Sequence, residues 1–346
     1  MINIVDPRDT PLAADDVLLV PQRGVLQSRR DAIVTAEIYS APMDTVTGYR
    51  VSKRMLELDA FPVLCRNLQE EEWYATVQEF HDHPNFWIAM DAKGAILERL
   101  ENLKLRGQIN VAIDIAHGYS PLGIDAVVRL QSLDYVKGIM TGSIVTEGAG
   151  RTLIKAGATH LRVGIGPGSA CTTRLMTGVG FPQLSAVAQM RDLPATVIAD
   201  GGIRYPGDAV KYLAAGADGV MLGGLFSQTI ESPGWREEVA PLDLDEIVRF
   251  PAEPKTVYKK SYRGHASAAF QKDHFGTASS CPEGASGPEF TWDGTTVEDV
   301  VTRFRHGIQS ACSYMGVASS DELPPLFIRN TQAGIQEGQP HGVQHG

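Results

Sequence analysis

Short apolar runs with little polar alternation recur along the chain, separated by amphipathic stretches. They read EIYSAPM ending at Met43, FPVLC at Cys65, FWIAM at Met90, NVAID at Asp114, VKGIMTG at Gly142, HLRVGI at Ile165, TVIAD at Asp200 and GVMLGG at Gly224. A strand with one wet face alternates, whereas a run apolar throughout is buried on both faces, as in a parallel sheet covered by helices. The run ends fall about two dozen residues apart, with one wider interval before Asp200, and this is the rhythm of strand-then-helix units. Eight such units predict an α/β fold, a closed (β/α)8 TIM barrel rather than an open doubly wound sheet. Helical cues fall between the runs. AILERLENLKL (95–105) is amphipathic, GAGRTLIKAGA ends in glycine, and GDAVKYLAAGA follows Pro206 and ends the same way. After Thr296, VEDVVTRFRHGIQSACSYMGV predicts a last helix with a turn at its end.

Beyond residue 250 the rhythm stops. The segment 251–295 is rich in Gly, Ser, Ala and Pro, which predicts a functional excursion from the barrel. Residues 331–346 are polar and glycine-rich and are expected to form a flexible tail behind a single catalytic domain, 1–330. The 346 residues, 43% hydrophobic and 21% charged, suit one large globular domain. A formal charge of −10 argues against a nucleic-acid partner while leaving room for a local phosphate pocket. Cys65, Cys171, Cys281 and Cys312 lie far apart without a CxxC pair, which disfavours structural zinc and a disulfide framework. No basic-then-apolar leader and no membrane-length apolar run is present, so the expected location is the cytoplasm, with no membrane partner.

In such barrels chemistry is carried where the strands end. Those ends hold Met43-Asp44, Cys65-Arg66, Asp91, Asp114, the loop GIGPGSACTTR (164–174), Asp200 and Gly223-Gly224. Asp44 and Asp91 read equally well as polar strand ends meeting solvent. The loop is the sharpest signal. Four Gly or Pro within Gly164–Gly168 interrupt helix and ladder alike, leaving backbone groups free to face a ligand. Cys171 is therefore a candidate nucleophile, with loop amides and nearby Arg174 favouring its thiolate.

The motifs DDVLLVP, APMDTVT, DIAHGYS, VGIGPGSACTTR, TGVGFPQLSAV, ADGGI, MLGG, YRGHAS, PEG and SACSYMGV, spread from about Asp15 to Asn330, resemble those of the IMP dehydrogenase and GMP reductase family. The resemblance implies a transient bond between Cys171 and C2 of a purine nucleotide monophosphate, with Thr173 and Glu283 as the proton relay. An amino-bearing C2 is a poor electrophile until a ring nitrogen or the leaving amine is protonated, so the nucleophile needs an acid partner. For the substrate it implies Asp200 on the ribose hydroxyls, Ser169, Gly201, Gly202, Gly223 and Gly224 around the phosphate, and Met43, His265 and Ala266 as further contacts. For the cofactor, NADPH with NADH as the alternative, it implies Arg66, Asp114, Ile115, Ala116, Ile165 and Gly166. It also implies Ser28, Arg29 and a turn of Ser310, Ala311, Cys312 and Ser313 from a neighbouring subunit, hence a homotetramer. Arg29 and Arg66 are candidates for a 2′-phosphate. A potassium ion is implied on the carbonyl oxygens of Gly166, Gly168, Cys171 and Arg174. The absence of GxGxxG agrees with a dinucleotide lying across a barrel mouth.

The family's two activities part after the adduct. The dehydrogenases hydrolyse it with a water activated by an Arg-Tyr pair on a long flap, and usually carry a regulatory CBS insert between barrel strands two and three. Here only HASAAFQKDHFGTASSCP separates Gly264 from Glu283, without Arg-Tyr, and the interval from Cys65 to Phe86 has no room for the insert. The resulting reading is a GMP reductase, NADPH-dependent, yielding IMP and ammonia. IMP dehydrogenase is the alternative, and a non-catalytic purine-nucleotide sensor a remote one. Three departures stand out: APMDTVT is closer to the dehydrogenase version, Cys65-Arg66 replaces a usual His-Lys pair, and His265 replaces a usual Met. His265 and His274 are candidates to activate water at neutral pH.

Overall fold

The structure, a computed structural model, describes residues 4–103, 107–234, 236–239, 257–260, 262–286, 290–292 and 294–338. The eight apolar runs form the eight strands of a closed parallel barrel: Glu37–Ser40, Phe61–Leu64, Trp87–Met90, Ile109–Ile113, Val136–Ile144, His160–Val163, Thr196–Asp200 and Gly219–Leu222. The eighth closes on the first in the register Glu37↔Gly219 to Ser40↔Leu222. The third and fourth strands are buried at every position, as strands packed between a filled interior and an outer helical layer must be. Val63, Ile88, Ile113, Leu161 and Ile198 belong to one continuous core, and truncating any of them to Ala is expected to cost about 2–5 kcal/mol.

Local chemistry sets the helix ends. Ser120 accepts the Gly123 N–H at 3.1 Å to start Pro121–Gln131. Gly157 and Gly216, at φ 118° and 110°, end Glu147–Ala156 and Pro206–Ala215. Thr296 and Asp299 form a reciprocal capping box that launches Val297–Met315. Ser310–Ser313, expected as a turn, lies inside this helix. Its apolar stripe of Val300, Val301, Phe304, Ile308, Cys312 and Met315 stays buried until Gly316 stops it.

The excursion carries more regular structure than its composition suggests. Val257–Lys260 and Phe290–Trp292 of the excursion join Arg236–Val239, which precedes it, in a three-stranded antiparallel sheet. Ala268–Phe275 is a helix, capped by the Ser267 hydroxyl and ended by Gly276 at φ 73°. Residues 251–256, 261, 287–289 and 293 of the excursion, and 339–346 of the tail, lie outside the described residues. Within the expected tail, Gln332–Glu337 is a short helix capped by Thr331. Val17–Leu19 pairs antiparallel with Phe327–Arg329. Among the described residues no helix is long and apolar enough to cross a membrane, and no cluster of three or more His, Cys, Asp or Glu is placed to hold a metal ion.

Candidate active site

Beyond the sixth strand the chain turns through Gly164 and Gly166, at φ 145° and 81°, and delivers Cys171 half-buried in the loop that follows. Its Sγ donates to Thr173 Oγ1 at 3.2 Å. The Glu283 segment docks on the same loop. Thr172 N–H donates to Glu283 O and Ala285 N–H to Ala170 O, each at 2.9 Å, so that Cys171 pairs with Gly284. Cys171, Thr173 and the half-buried Glu283 are thus brought together from two distant parts of the chain.

The loop is more tightly tied than its glycines suggest. Cys171 N–H donates to Gly168 O at 3.0 Å, so it is not free for a ligand. The Arg174 guanidinium donates to Ile165 O at 3.0 Å and Phe181 O at 2.6 Å. The loop leaves those carbonyls without ladder partners, and a buried carbonyl must find a donor. Arg174 is therefore a clasp around the loop, and Gly166 and Gly180 stay small because a Cβ at either would meet its Cγ at 2.5 and 2.7 Å.

Small residues crowd the neighbouring strand ends. A Cβ on Gly201 would lie 3.0 Å from Gly168 N, one on Gly224 3.3 Å from Ser169 Oγ, and one on Gly223 3.6 Å from Met43 Sδ. Gly201 and Gly202 sit at φ 87° and 73°, which glycine alone adopts freely. Met43, Ser169 and the four glycines therefore converge, with Tyr262 beside them: its hydroxyl would be 3.1 Å from a Gly223 Cβ and bonds to Ser169. Burial raises the Tyr262 pKa, so the phenol stays protonated. Asp200 closes this side. Its Oδ2 accepts from Arg162 Nε and Nη2 at 3.0 and 2.8 Å.

Arg162 also faces Asp114, with Nη1 3.8 Å from Oδ1. Asp114 Oδ2 lies 3.3 Å from Arg66 Nε and 3.2 Å from His265 Nδ1. Burial alone would push the Asp114 carboxyl up, but the His265 hydrogen bond and the charges of His265, Arg162 and Arg66 hold it well below the carboxylate range. Burial likewise opposes the charged form of His265. The bonds to Asp114 and Cys65 outweigh it and raise the imidazole to about 10, so the ring is a cation at neutral pH. Cys65 Sγ, fully buried, lies 3.7 Å from His265 Nε2 and accepts the Asn67 N–H at 3.4 Å.

These barrel-mouth motifs and their order match one family model, the IMP dehydrogenase / GMP reductase domain, over residues 11–341. The chain belongs to the IMP dehydrogenase and GMP reductase family. It is 38% identical to the inosine-5'-monophosphate dehydrogenase of Chlorobaculum tepidum over 74% of its own length and 52% of that protein's. It is 33% identical to GMP reductase 2 of Bos taurus, and equally to that of Homo sapiens, over 94% of its length and 95% of theirs. The chain thus spans about half the length of the two Chlorobaculum dehydrogenases, 71% of the dehydrogenase of Borreliella burgdorferi and nearly all of the reductases.

Several expected site residues of this family member stand differently from the expectation. Both ring nitrogens of His265 are engaged, so it offers no free base to water, while His274 Nε2 faces Asp44 at 3.5 Å. Asp44 also takes Arg263 at 2.6 and 3.0 Å. Asp91 caps a turn through the N–H groups of Lys93, Gly94 and Ala95. Ala266 contributes its carbonyl to Gly284 N–H and Gln271 Nε2. Ile115, Ile165 and Gly166 are half-buried and Ala116 is exposed, which suits a lining wall. Ser28 caps the turn Arg29–Asp31, and Arg29 Nη1 donates to Ser310 Oγ at 3.2 Å, with Ala311 and Ser313 half-buried nearby in sequence. Cys312 is fully buried in the core, so its thiol does not face a cofactor. Sequence reasoning missed Arg162 and Tyr262. The signal for Arg162 was a guanidinium inside the buried run HLRVGI, which demands anionic partners.

Proposed function

We propose that the chain is a GMP reductase: GMP, NADPH and two protons give IMP, ammonium ion and NADP+. The observation that carries this reading is the docking of the Glu283 segment on the Cys171 loop with only Ala268–Phe275 as an intervening helix and no Arg-Tyr pair between Gly264 and Glu283. Near-complete coverage of the reductases supports it.

In this mechanism Cys171 Sγ loses its proton and bonds to C2, with Thr173 Oγ1, 3.2 Å away, receiving or relaying that proton. Glu283 supplies the proton with which the exocyclic amine leaves as ammonia. The C–S bond breaks as C2 is reduced, returning the thiolate. Asp200, through the Oδ1 that Arg162 leaves open, takes the ribose hydroxyls, and Ser169 with Gly201, Gly202, Gly223 and Gly224 surrounds the phosphate. NADPH, when bound, supplies the two electrons. The donor set suits an anionic dinucleotide: Arg66, Arg162 and His265 carry three positive charges against two on Asp114 and Asp200, and among the described residues the buried Arg162 Nη1 has no hydrogen-bond partner closer than Asp114 Oδ1 at 3.8 Å. In a homotetramer, Ser28, Arg29 and Ser310–Ser313 would complete that site from a second copy. The carbonyls of Gly168 and Arg174 each accept one internal N–H, keeping a second lone pair for potassium beside those of Gly166 and Cys171.

The test is nicotinamide absorbance with purified protein. Loss of NADPH on adding GMP, dependent on potassium, is the expected result. Reduction of NAD+ by IMP without any GMP-dependent NADPH loss would make the chain a dehydrogenase, and binding without either reaction would make it a sensor.

A further inference from the structure

The segment that carries Glu283 is joined to the catalytic loop through its own backbone. Gly264 N–H donates to Ala285 O at 3.1 Å and Gly284 N–H to Ala266 O at 3.2 Å, while residues 283–285 pair with 170–172. Between Gly264 and Ala266 stands His265, whose ring leaves the segment and crosses to the barrel. Nδ1 meets Asp114 Oδ2 at 3.2 Å, one residue beyond the fourth strand, and Nε2 meets Cys65 Sγ at 3.7 Å, one residue beyond the second. Its face lies on Phe270, ring centroids 4.5 Å apart. Phe270 also carries His274 at 4.3 Å and the Arg263 guanidinium at 5.5 Å, which pair in turn with Asp44 and Asp273. Arg66 and Arg162 fix Asp114 from the barrel side.

We propose that His265 is a positioning residue: clamped between Asp114 and Cys65, it latches residues 262–286 onto the ends of the second and fourth strands and so seats Glu283 beside Cys171. Its two nitrogens sit on opposite edges of a rigid ring, which lets one side chain hold two strand ends at once. A charge-assisted bond to a carboxylate in a partly dry site is about twice as strong as a neutral one. The displacement of His265 is passed to Glu283 through the backbone hydrogen bonds on either side of it, 264 to 285 and 266 to 284, with Arg263 and Ser267 bridged to Ser286 and Gly284. The catalytic consequence rests on the GMP reductase reading; the latch does not.

Hydrogen–deuterium exchange of the full chain reads the latch without turnover. In His265→Ala, exchange of the Gly264, Ser267, Gly284 and Ala285 amides is expected to quicken by about tenfold or more, with the barrel-strand amides unchanged as an internal standard. His265→Gln, whose amide still donates to Asp114, is expected to recover part of that protection, and carries the comparison should the alanine variant not fold. With GMP, kcat should fall by about the same tenfold in His265→Ala while KM for GMP stays within about threefold, because ribose and phosphate groups lie elsewhere. Unchanged protection of the segment in both variants overturns the latch whatever the turnover. A loosened segment with undiminished kcat overturns the positioning role. A wild-type protein inactive toward GMP removes the catalytic role while the exchange result still decides the latch.

Discussion

Cys171, the proposed nucleophile, sits in a loop whose geometry is set by its neighbours. Arg174 closes the loop on itself, and the Thr173 hydroxyl lies 3.2 Å from the sulfur. Thr173→Val removes that hydroxyl at nearly constant volume; turnover is expected to fall by about 10²–10⁴, with unfolding free energy changed by no more than about 0.5 kcal/mol. Parallel kinetics and denaturant titration check both halves. His265 gives a pH dependence of known sign. Its folded-state pKa of about 10 exceeds its ordinary value of 6.5, so the stability it contributes is fully present below 6.5 and is lost as pH rises through about 10. Unfolding measured from pH 6 to pH 10 should therefore show a falling contribution in the wild type that is missing in His265→Ala. At this scale the sequence placed Cys171 in the loop after the sixth strand and Asp200 at the end of the seventh, where the structure has them. It misled where partners decide: His265 looks like a base until Asp114 and Cys65 occupy both nitrogens, and nothing in the sequence shows that Arg174 holds two loop carbonyls.

The elements divide into those that hold the barrel and those that hold the site. The eight strands were legible as doubly buried apolar runs, and glycine or proline marked the helix ends at 157, 206 and 216. Ala268–Phe275 was not legible, because Ala, Ala, Phe, Gln, Lys, Asp, His and Phe present no apolar stripe. Phe270 alone is buried in it. Its segment depends on close backbone approach. A Cβ on Gly284 would lie 2.7 Å from Ser267 N and 2.8 Å from Ala266 C, neither of which yields without moving the chain. Gly284→Ala should therefore lower kcat by about tenfold or more by lifting Glu283, yet leave the barrel's unfolding midpoint nearly unchanged, as steady-state kinetics and calorimetry on one preparation would show.

The whole molecule places chemistry at one end of the barrel and spare charge at the other. At the amino ends of the first and eighth strands, burial raises the carboxyl pKa of Glu37, with neighbouring Asp218 adding to it, and burial raises that of Asp218 as well. A carboxyl raised on folding costs stability above its ordinary pKa. Asp218→Asn keeps an acceptor for the Val197 N–H at 2.7 Å and is expected to unfold at an equal or higher temperature at neutral pH. Turnover should stay within about twofold, since the site lies at the opposite rim. A fall in both would show that the two ends are coupled. The proposed reaction turns on a transient bond between Cys171 and the purine. Its most direct test is mass spectrometry of peptides from enzyme acid-quenched during turnover with GMP and NADPH. A purine nucleotide on the Cys171 peptide, absent from Cys171→Ala, is the predicted result; an unmodified Cys171 together with turnover in Cys171→Ala would contradict it.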